Sequence, residues 1–322
     1  MLRCLVPFSF FTALILSGFT SCDIETAEAK KSQRLIIASD FLHVQDTLIF
    51  KEFVRENNVR VVIRHLSGNK IIEKIKREGF NSGLDIVLTK NMNTALRLNN
   101  VGALHDFEKN ENDVQSQNPY ISYTHNFVGI GLDPFVFKYP VDSVRTARHY
   151  QDLMKTKHYY TLSDADILSF LSPIRKERNR ANTYEWIKNW KKNGSLRPAK
   201  APWSDSAKVI LCKYSQLDAF QDSIWSNYSK TIHFPNTDRA GVYFDLVCVS
   251  IVQQAEHFTE AQKFLAFCQN AGHNTVINSR IKRFPVYPCL SALKNGPPFY
   301  PVKIDQLVQY HEVLRRVLLK MK

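Results

Sequence analysis

From residue 34 onward, short apolar runs alternate with amphipathic stretches. Residues 35–39, Leu-Ile-Ile-Ala-Ser, predict a buried strand, and residues 46–57 follow with Leu48, Ile49 and Phe53 at helical spacing. Residues 59–65 predict a second strand. Ser67-Gly68-Asn69 then opens a helix that carries Ile71, Ile72 and Ile75 on one face and is closed by Gly79. A third strand over 84–88 and a helix over 94–100, before Gly102, complete a β-α-β-α-β-α order. That order predicts a parallel sheet with helices on both faces. Ligands of such sheets bind beyond the carboxyl ends of the strands, which singles out the loops at 39–46, 66–70 and 89–94.

The rhythm breaks in the middle of the chain. Residues 127–132 and 134–139 read as separate extended segments near a junction, and a second α/β region follows. It comprises a short helix at 150–154, a strand at 159–162, helices at 167–170 and 184–190 with Gly194 as stop, and a helix over 206–214. Residues 217–225 lead into another loop. Residues 244–252 are the most strand-like of the remainder, and helices are predicted at 260–269, with Phe264, Leu265, Phe267 and Cys268 apolar, and at 305–320.

The first residues bear on the compartment. Arg3 precedes an apolar run over 8–16 that is too short to span a bilayer, the signature of a signal peptide. The run ends in Ser17-Gly18-Phe19-Thr20-Ser21-Cys22, which resembles the lipobox of bacterial lipoproteins, with Phe19 where that pattern has Leu. Residues 1–22 are thus expected to be a signal peptide with Cys22 as lipid carrier, and residues 23–33 a tether. The expected location is periplasmic or cell-surface, anchored to a bacterial membrane. The roughly 290 residues that remain suffice for one large or two medium domains.

The formal charge of +13 raises the question of nucleic acid. The denser basic stretches, 175–180, 188–192 and 315–322, lie beside apolar residues at helical spacing and read as solvated helix faces, which argues against that partner. Such a charge suits anionic lipid surfaces or anionic ligands. Cys212, Cys248, Cys268 and Cys289 show no metal-binding spacing; they allow three disulfide pairings, and Cys248 and Cys268 equally suit buried thiols. Ser39, Asp40 and His43 are close together, yet no G-x-S-x-G or H-E-x-x-H motif accompanies them, so no enzyme is expected.

Residues 34–107 carry a recognisable series: Ser39 ending a strand, His43 in the loop, Phe53 to Asn57 reading Phe-x-x-Glu-Asn, Ser67-Gly68, Lys76 to Ser82, Asp85 to Thr89, and Val101-Gly102-Ala103-Leu104. The block Glu78-Gly79-Phe80-Asn81-Ser82-Gly83-Leu84-Asp85 is the most specific of these. Further on come Trp186 to Asn193, Ala240-Gly241 to Val249, Ala261 to Phe267 and Phe284-Pro285-Val286. The series resembles that of bacterial ferric-iron solute-binding proteins of ABC transporters.

That resemblance implies a two-lobed α/β fold of the type 2 periplasmic-binding-protein kind, each lobe a mainly parallel sheet flanked by helices. The first lobe would be 34–131 plus 243–290 and the second 132–242 plus 291–322, with a ligand cleft between them that closes like a hinge. It also implies a monomer that captures iron, as Fe3+ or a chelate, and delivers it to a membrane permease. Two alternatives remain at this point: another small ligand, anionic or organic, in the same fold, and a lipoprotein with a structural or partner-binding role.

Ferric iron prefers oxygen donors, tolerates imidazole and is held by tyrosine phenolates. The family commonly supplies an adjacent tyrosine pair after a Gly-x-x-Asp segment. Here that segment is Ser215-Gln216-Leu217-Asp218, and the pair falls on Trp225-Ser226, neither of which offers a phenolate. Tyr228 is the nearest phenol and His43 stands at the family's first-lobe histidine, making these two the candidate metal ligands. The adjacent pair Tyr159-Tyr160 sits in a predicted buried strand. Lys90 occupies an acidic position of some relatives, with Asn91 next, and favours an anion; Trp225 offers a stacking surface. Ser39, Asp40, Ser67 and Gly68 complete the candidate ligand-binding residues. Cys22→Ser is expected to abolish lipid attachment, and unchanged membrane fractionation and mass of that variant would exclude the anchor.

Overall fold

The structure is a computed structural model that describes residues 34–106, 119–122, 126–139, 147–196, 209–220, 232–286 and 297–319. The first three apolar runs become the parallel strands β1 (Arg34–Ser39), β2 (Arg60–His65) and β3 (Ile86–Thr89), with β1 between the other two. A 3-10 turn at Val44–Phe50 continues into α1 (Lys51–Asn57), so the helical pattern read over 46–57 is in two parts. α2 (Gly68–Glu78) buries Ile71, Ile72 and Ile75; Gly79 and Gly83 then take positive φ, where a side chain would be strained, and turn the chain into β3. Asp85, in that specific block, accepts the Ile36 and His257 amides at 2.8 and 2.9 Å, so its buried carboxylate ties β1 to the chain ahead of α6.

After α3 (Met92–Asn99) and the short β4 (Ile121–Ser122), the two extended segments expected at 127–139 form one strand, β5 (Phe127–Lys138). All twelve of its residues are buried. Pro134 does not break it, because that is where β5 changes partner. Up to Pro134 it pairs with β9 (Phe244–Ile251), and from Phe135 it pairs with β8 (Val209–Lys213).

The second half of the sheet is built from β6 (His158–Tyr160), α4 (Asp164–Glu177), α5 (Arg180–Asn193), β7 (Gly194–Leu196) and β8 (Val209–Lys213). The helix predicted over 206–214 is corrected here: Val209–Lys213 is a fully buried central strand, whose run Val-Ile-Leu-Cys suits burial on both faces. The chain returns through β9 (Phe244–Ile251), α6 (Phe258–Gln269), α7 (Ala271–Arg280), β10 (Phe284–Pro285) and α8 (Ile304–Leu319). The strand order is β2-β1-β3-β9-β5-β8-β6-β7, with β4 and β10 both on β5.

Helix α7 was not foreseen. It docks through Asn274 and Asn278, whose side-chain amides both donate to the Ile130 carbonyl, at 2.8 and 2.7 Å, beside a register shift in β5. A Cβ at Gly131 would lie 2.2 Å from Asn278 Oδ1, so this docking requires glycine there. Phe50, Phe53, Phe264 and Phe267 pack edge-on beneath the first half of the sheet, and Phe170, Trp186, Trp190 and Tyr243 fill the second. Among the described residues no helix is long and apolar enough to cross a membrane. Cys212, Cys248 and Cys268 are buried free thiols. Cys22 and Cys289 lie outside the described residues.

His158 is buried against Trp190, with Nδ1 2.9 Å from the Thr156 carbonyl, and Nε2 has no hydrogen-bond partner among the described residues. Burial pushes its pKa down to about 4 from an ordinary 6.5. The unfolded chain therefore takes up this proton first, and the stability His158 contributes is full above pH 6.5 and lost as pH falls toward 4. For such a shift the loss from pH 7 to pH 5 is about 2 kcal/mol. His158→Phe should flatten the pH dependence of stability by that amount, read as urea midpoints at the two pH values.

Candidate functional site

The carboxyl ends of β1, β2 and β3 open onto one edge of the sheet, where α2 and α3 begin. The two helix starts lie side by side: a Cβ on Gly68 would come within 2.8 Å of the Thr94 hydroxyl, and Arg97 of α3 donates to the Asn69 side chain at 2.7 Å. Gly68 is thus demanded by close helix packing. Ser67 caps α2 by accepting the Lys70 amide, and buried Asn91 caps α3 by accepting the Thr94 amide at 2.9 Å and hydroxyl at 3.1 Å. The positive ends of both helix dipoles therefore lie side by side at this edge.

The other candidates of this edge divide by role. Ser39 is buried, and its hydroxyl accepts the Phe41 and Leu42 amides at 3.3 and 3.1 Å, shaping the loop after β1. Asp40 accepts the Lys90 amide at 2.8 Å. Burial raises its pKa, against the Lys90 hydrogen bond and the charges of Lys90 and Lys213. His43 is exposed and stacks on His65 with ring centroids 4.0 Å apart. His65 Nδ1 lies 2.9 Å from the Leu42 carbonyl, to which it donates. The structure thus brings Ser39, Asp40, Lys90 and Asn91 together at the ends of β1 and β3, with Ser67 and Gly68 on the neighbouring helix. Trp225, Ser226 and Tyr228 lie outside the described residues. Of the adjacent tyrosines, Tyr159 is buried and Tyr160 packs on Trp190 at 4.9 Å, so this pair serves the core.

The strongest polar feature of the sheet was not singled out from the sequence. Lys213, the last residue of β8, is buried with its ammonium 3.0 Å from Asp166, 3.1 Å from Asp245 and 3.5 Å from Asp133. It also donates to the Lys90 carbonyl at 3.4 Å, which joins it to the first-strand edge. Asp133 is paired with Arg283 at 3.1 Å and accepts the Ser215 amide and hydroxyl. Asp245 accepts the Ser169 hydroxyl at 2.9 Å and the Met92 amide at 3.4 Å.

Burial works against the charge on Lys213, yet Asp166, Asp245 and Asp133 hold it above the usual lysine range. Asp166 is likewise penalised by burial but kept below the usual carboxylate range by Lys213 and Ser163. For Asp245 burial prevails and its pKa is raised. The signal that could have revealed this cluster is a charge interrupting an apolar run. Asp133 splits Phe127–Lys138, Asp245 interrupts Phe244–Ile251, and Lys213 ends Val-Ile-Leu-Cys.

Among the described residues no group of three His, Cys, Asp or Glu side chains is placed to hold a metal ion. The three aspartates that do converge already surround the lysine ammonium. Chemically, the crevice offers a cation, two helix N-termini and an imidazole.

No protein-family model matches the chain, and no curated protein sequence matches it. Solved structures do. The Mannheimia haemolytica ferric iron-binding protein A in an open conformation superposes with a TM-score of 0.74 at 14% identity, over 89% of this chain and 98% of the other. A Campylobacter jejuni ferric binding protein gives 0.72 at 16% identity, over 88% and 98%. A Trichodesmium protein (IdiA, FutA) in complex with iron and citrate ligands gives 0.71 at 18% identity, over 88% and 99%. At these identities the likeness establishes the fold, the two-lobed periplasmic-binding-protein architecture expected from the sequence.

Proposed function

We propose that the chain is an extracytoplasmic solute-binding lipoprotein of the ferric-iron uptake family, which captures iron as an anionic ferric chelate and passes it to an ABC-type permease. One observation carries the reading. In a two-lobed binding fold, the starts of α2 and α3 lie side by side with Lys90 next to the Asn91 cap of α3, an arrangement suited to the carboxylates of a chelate more than to a bare cation. His43, on the same edge, and Tyr228, as a phenolate, are the proposed ligands of the metal.

The lobes are 34–131 plus 243–290 and 132–242 plus 291–322. The change of partner in β5 at Pro134 and the packing of α8 on α4 support that division. The protein works as a monomer, held by lipid on Cys22 and the tether 23–33 at the periplasmic or cell-surface side of a bacterial membrane. Binding, without catalysis, favours the closed state of the lobes through its differential affinity. A second reading, an iron-free anion as cargo, draws support from Lys90 beside the starts of α2 and α3.

Titration with ferric citrate and with citrate alone separates the two, followed by visible absorbance and native mass. One ferric citrate per chain is expected. Lys90→Ala and His43→Ala should each weaken it at least tenfold, about 1.4 kcal/mol. Tyr228→Phe should bleach any phenolate band. Equal affinity for citrate without iron would transfer the function to the second reading, and binding of neither would remove both.

A further inference from the structure

Lys213 is unusual in what it joins. Its ammonium meets Asp166 of α4, Asp133 of β5, Asp245 of β9 and the carbonyl of Lys90 in the turn between β3 and α3. The same turn is held from a second direction, since the Met92 amide points to Asp245 at 3.4 Å, and from a third, since the Lys90 amide donates to Asp40. A single buried cation thus connects β8 and α4, in the second half of the sheet, with the loop that presents Lys90 to the crevice. Helix α8 closes the group: buried His311 lies 3.5 Å from the Ser169 hydroxyl, which itself donates to Asp245.

We propose that Lys213 is a positioning residue of the ligand crevice, whose ammonium sets the loop at residues 90–92 against the second half of the sheet and thereby sets the affinity for the ligand. Lys213 itself needs no contact with ligand. Among the described residues of the second half, Lys213 is the charged group seen to hydrogen-bond that loop, and the contact falls on a backbone carbonyl, so it fixes where Lys90 starts and does not engage its side chain. The affinity half of the claim rests on the crevice being the binding site, as proposed above; the positioning half does not.

Removing the lysine alone leaves Asp133, Asp166 and Asp245 facing one arginine, and such a chain can fail to fold. The test therefore uses Lys213→Met combined with Asp166→Asn. This pair keeps the native excess of one negative charge, because three carboxylates against Lys213 and Arg283 become two against Arg283. In the ligand-free full chain, hydrogen exchange at the Lys90 and Met92 amides should speed up by at least about tenfold, while the Ile36 amide, held by Asp85, stays as slow as in the native protein. The native protein and this variant are then titrated with ferric citrate, alone and with Lys90→Ala added.

The variant should bind at least about tenfold more weakly, and adding Lys90→Ala should cost it clearly less than the same change costs the native protein, the non-additivity expected of residues acting through one another. Unchanged exchange at residues 90–92 overturns the proposal. So does faster exchange with undiminished ferric citrate affinity, or full additivity with Lys90→Ala. If the native protein binds no ferric citrate, the functional reading above fails, and the exchange arm alone decides whether Lys213 positions the loop.

Discussion

Two aspartates facing each other across the central strands are the constraint that organises the rest. Asp133 of β5 and Asp245 of β9 are direct antiparallel partners, both buried, and like charges in that position repel. The pairing is tolerable because Lys213 reaches both carboxylates and Arg283 neutralises Asp133 from the other side. Buried charges cost several kcal/mol each in lost hydration and are tolerated only when geometry and hydrogen bonds are complete. Completion here requires the end of β8, the first turn of α4 and the residues ahead of β10 to meet at one point. The cluster thereby dictates where the second half of the sheet joins the first.

The candidate site inherits its shape from this junction. Ser39, Asp40, Ser67 and Asn91 are polar residues at strand ends, the pattern expected of ligand contacts, yet Ser39, Ser67 and Asn91 use their side chains to shape or cap their own loops and Asp40 holds the loop after β3. Such hydrogen bonds hold the backbone in place and leave recognition to fewer groups. The chemistry left over is Lys90, the positive dipole ends of α2 and α3, and His43. This set is electropositive, which is why a chelate with its own carboxylates suits it better than a trivalent ion stripped of ligands.

Much of the first half was legible because each signal there was local. Apolar runs predict β1, β2 and β3, the isoleucines of α2 fall at helical spacing, and Gly79 and Gly83 stand where positive φ is needed. The errors elsewhere have a common cause in burial on both faces, which erases periodicity. Val209–Lys213 carries no alternation and passed for a helix, and Asp133 passed for a break between two extended segments because its burial at the change of strand partner is a tertiary fact. Helix α7 escaped notice since its docking residues are asparagines, polar by type and buried by their bonds to Ile130. The Lys213 cluster was out of reach for a related reason: its members are spread over 112 residues, from Asp133 to Asp245, and only the sheet order brings them together.

Closure of two lobes must bend the chain where bending does not break buried charges. β5 pairs with β9 in one half of the sheet and with β8 in the other, so any such motion passes through it. Parting Lys213 from its aspartates would leave uncompensated buried charge at about 3–5 kcal/mol, a large fraction of what a micromolar ligand supplies at about 8 kcal/mol. The cluster therefore moves as a unit, and bending is left to the strand segments and loops around it. A rigid pivot of this kind fixes the loop at residues 90–92 relative to the crossing strands while the far walls of the cleft swing. If the first-half edge is the proposed binding site, its groups are in place before closure and little of the binding free energy goes into ordering them.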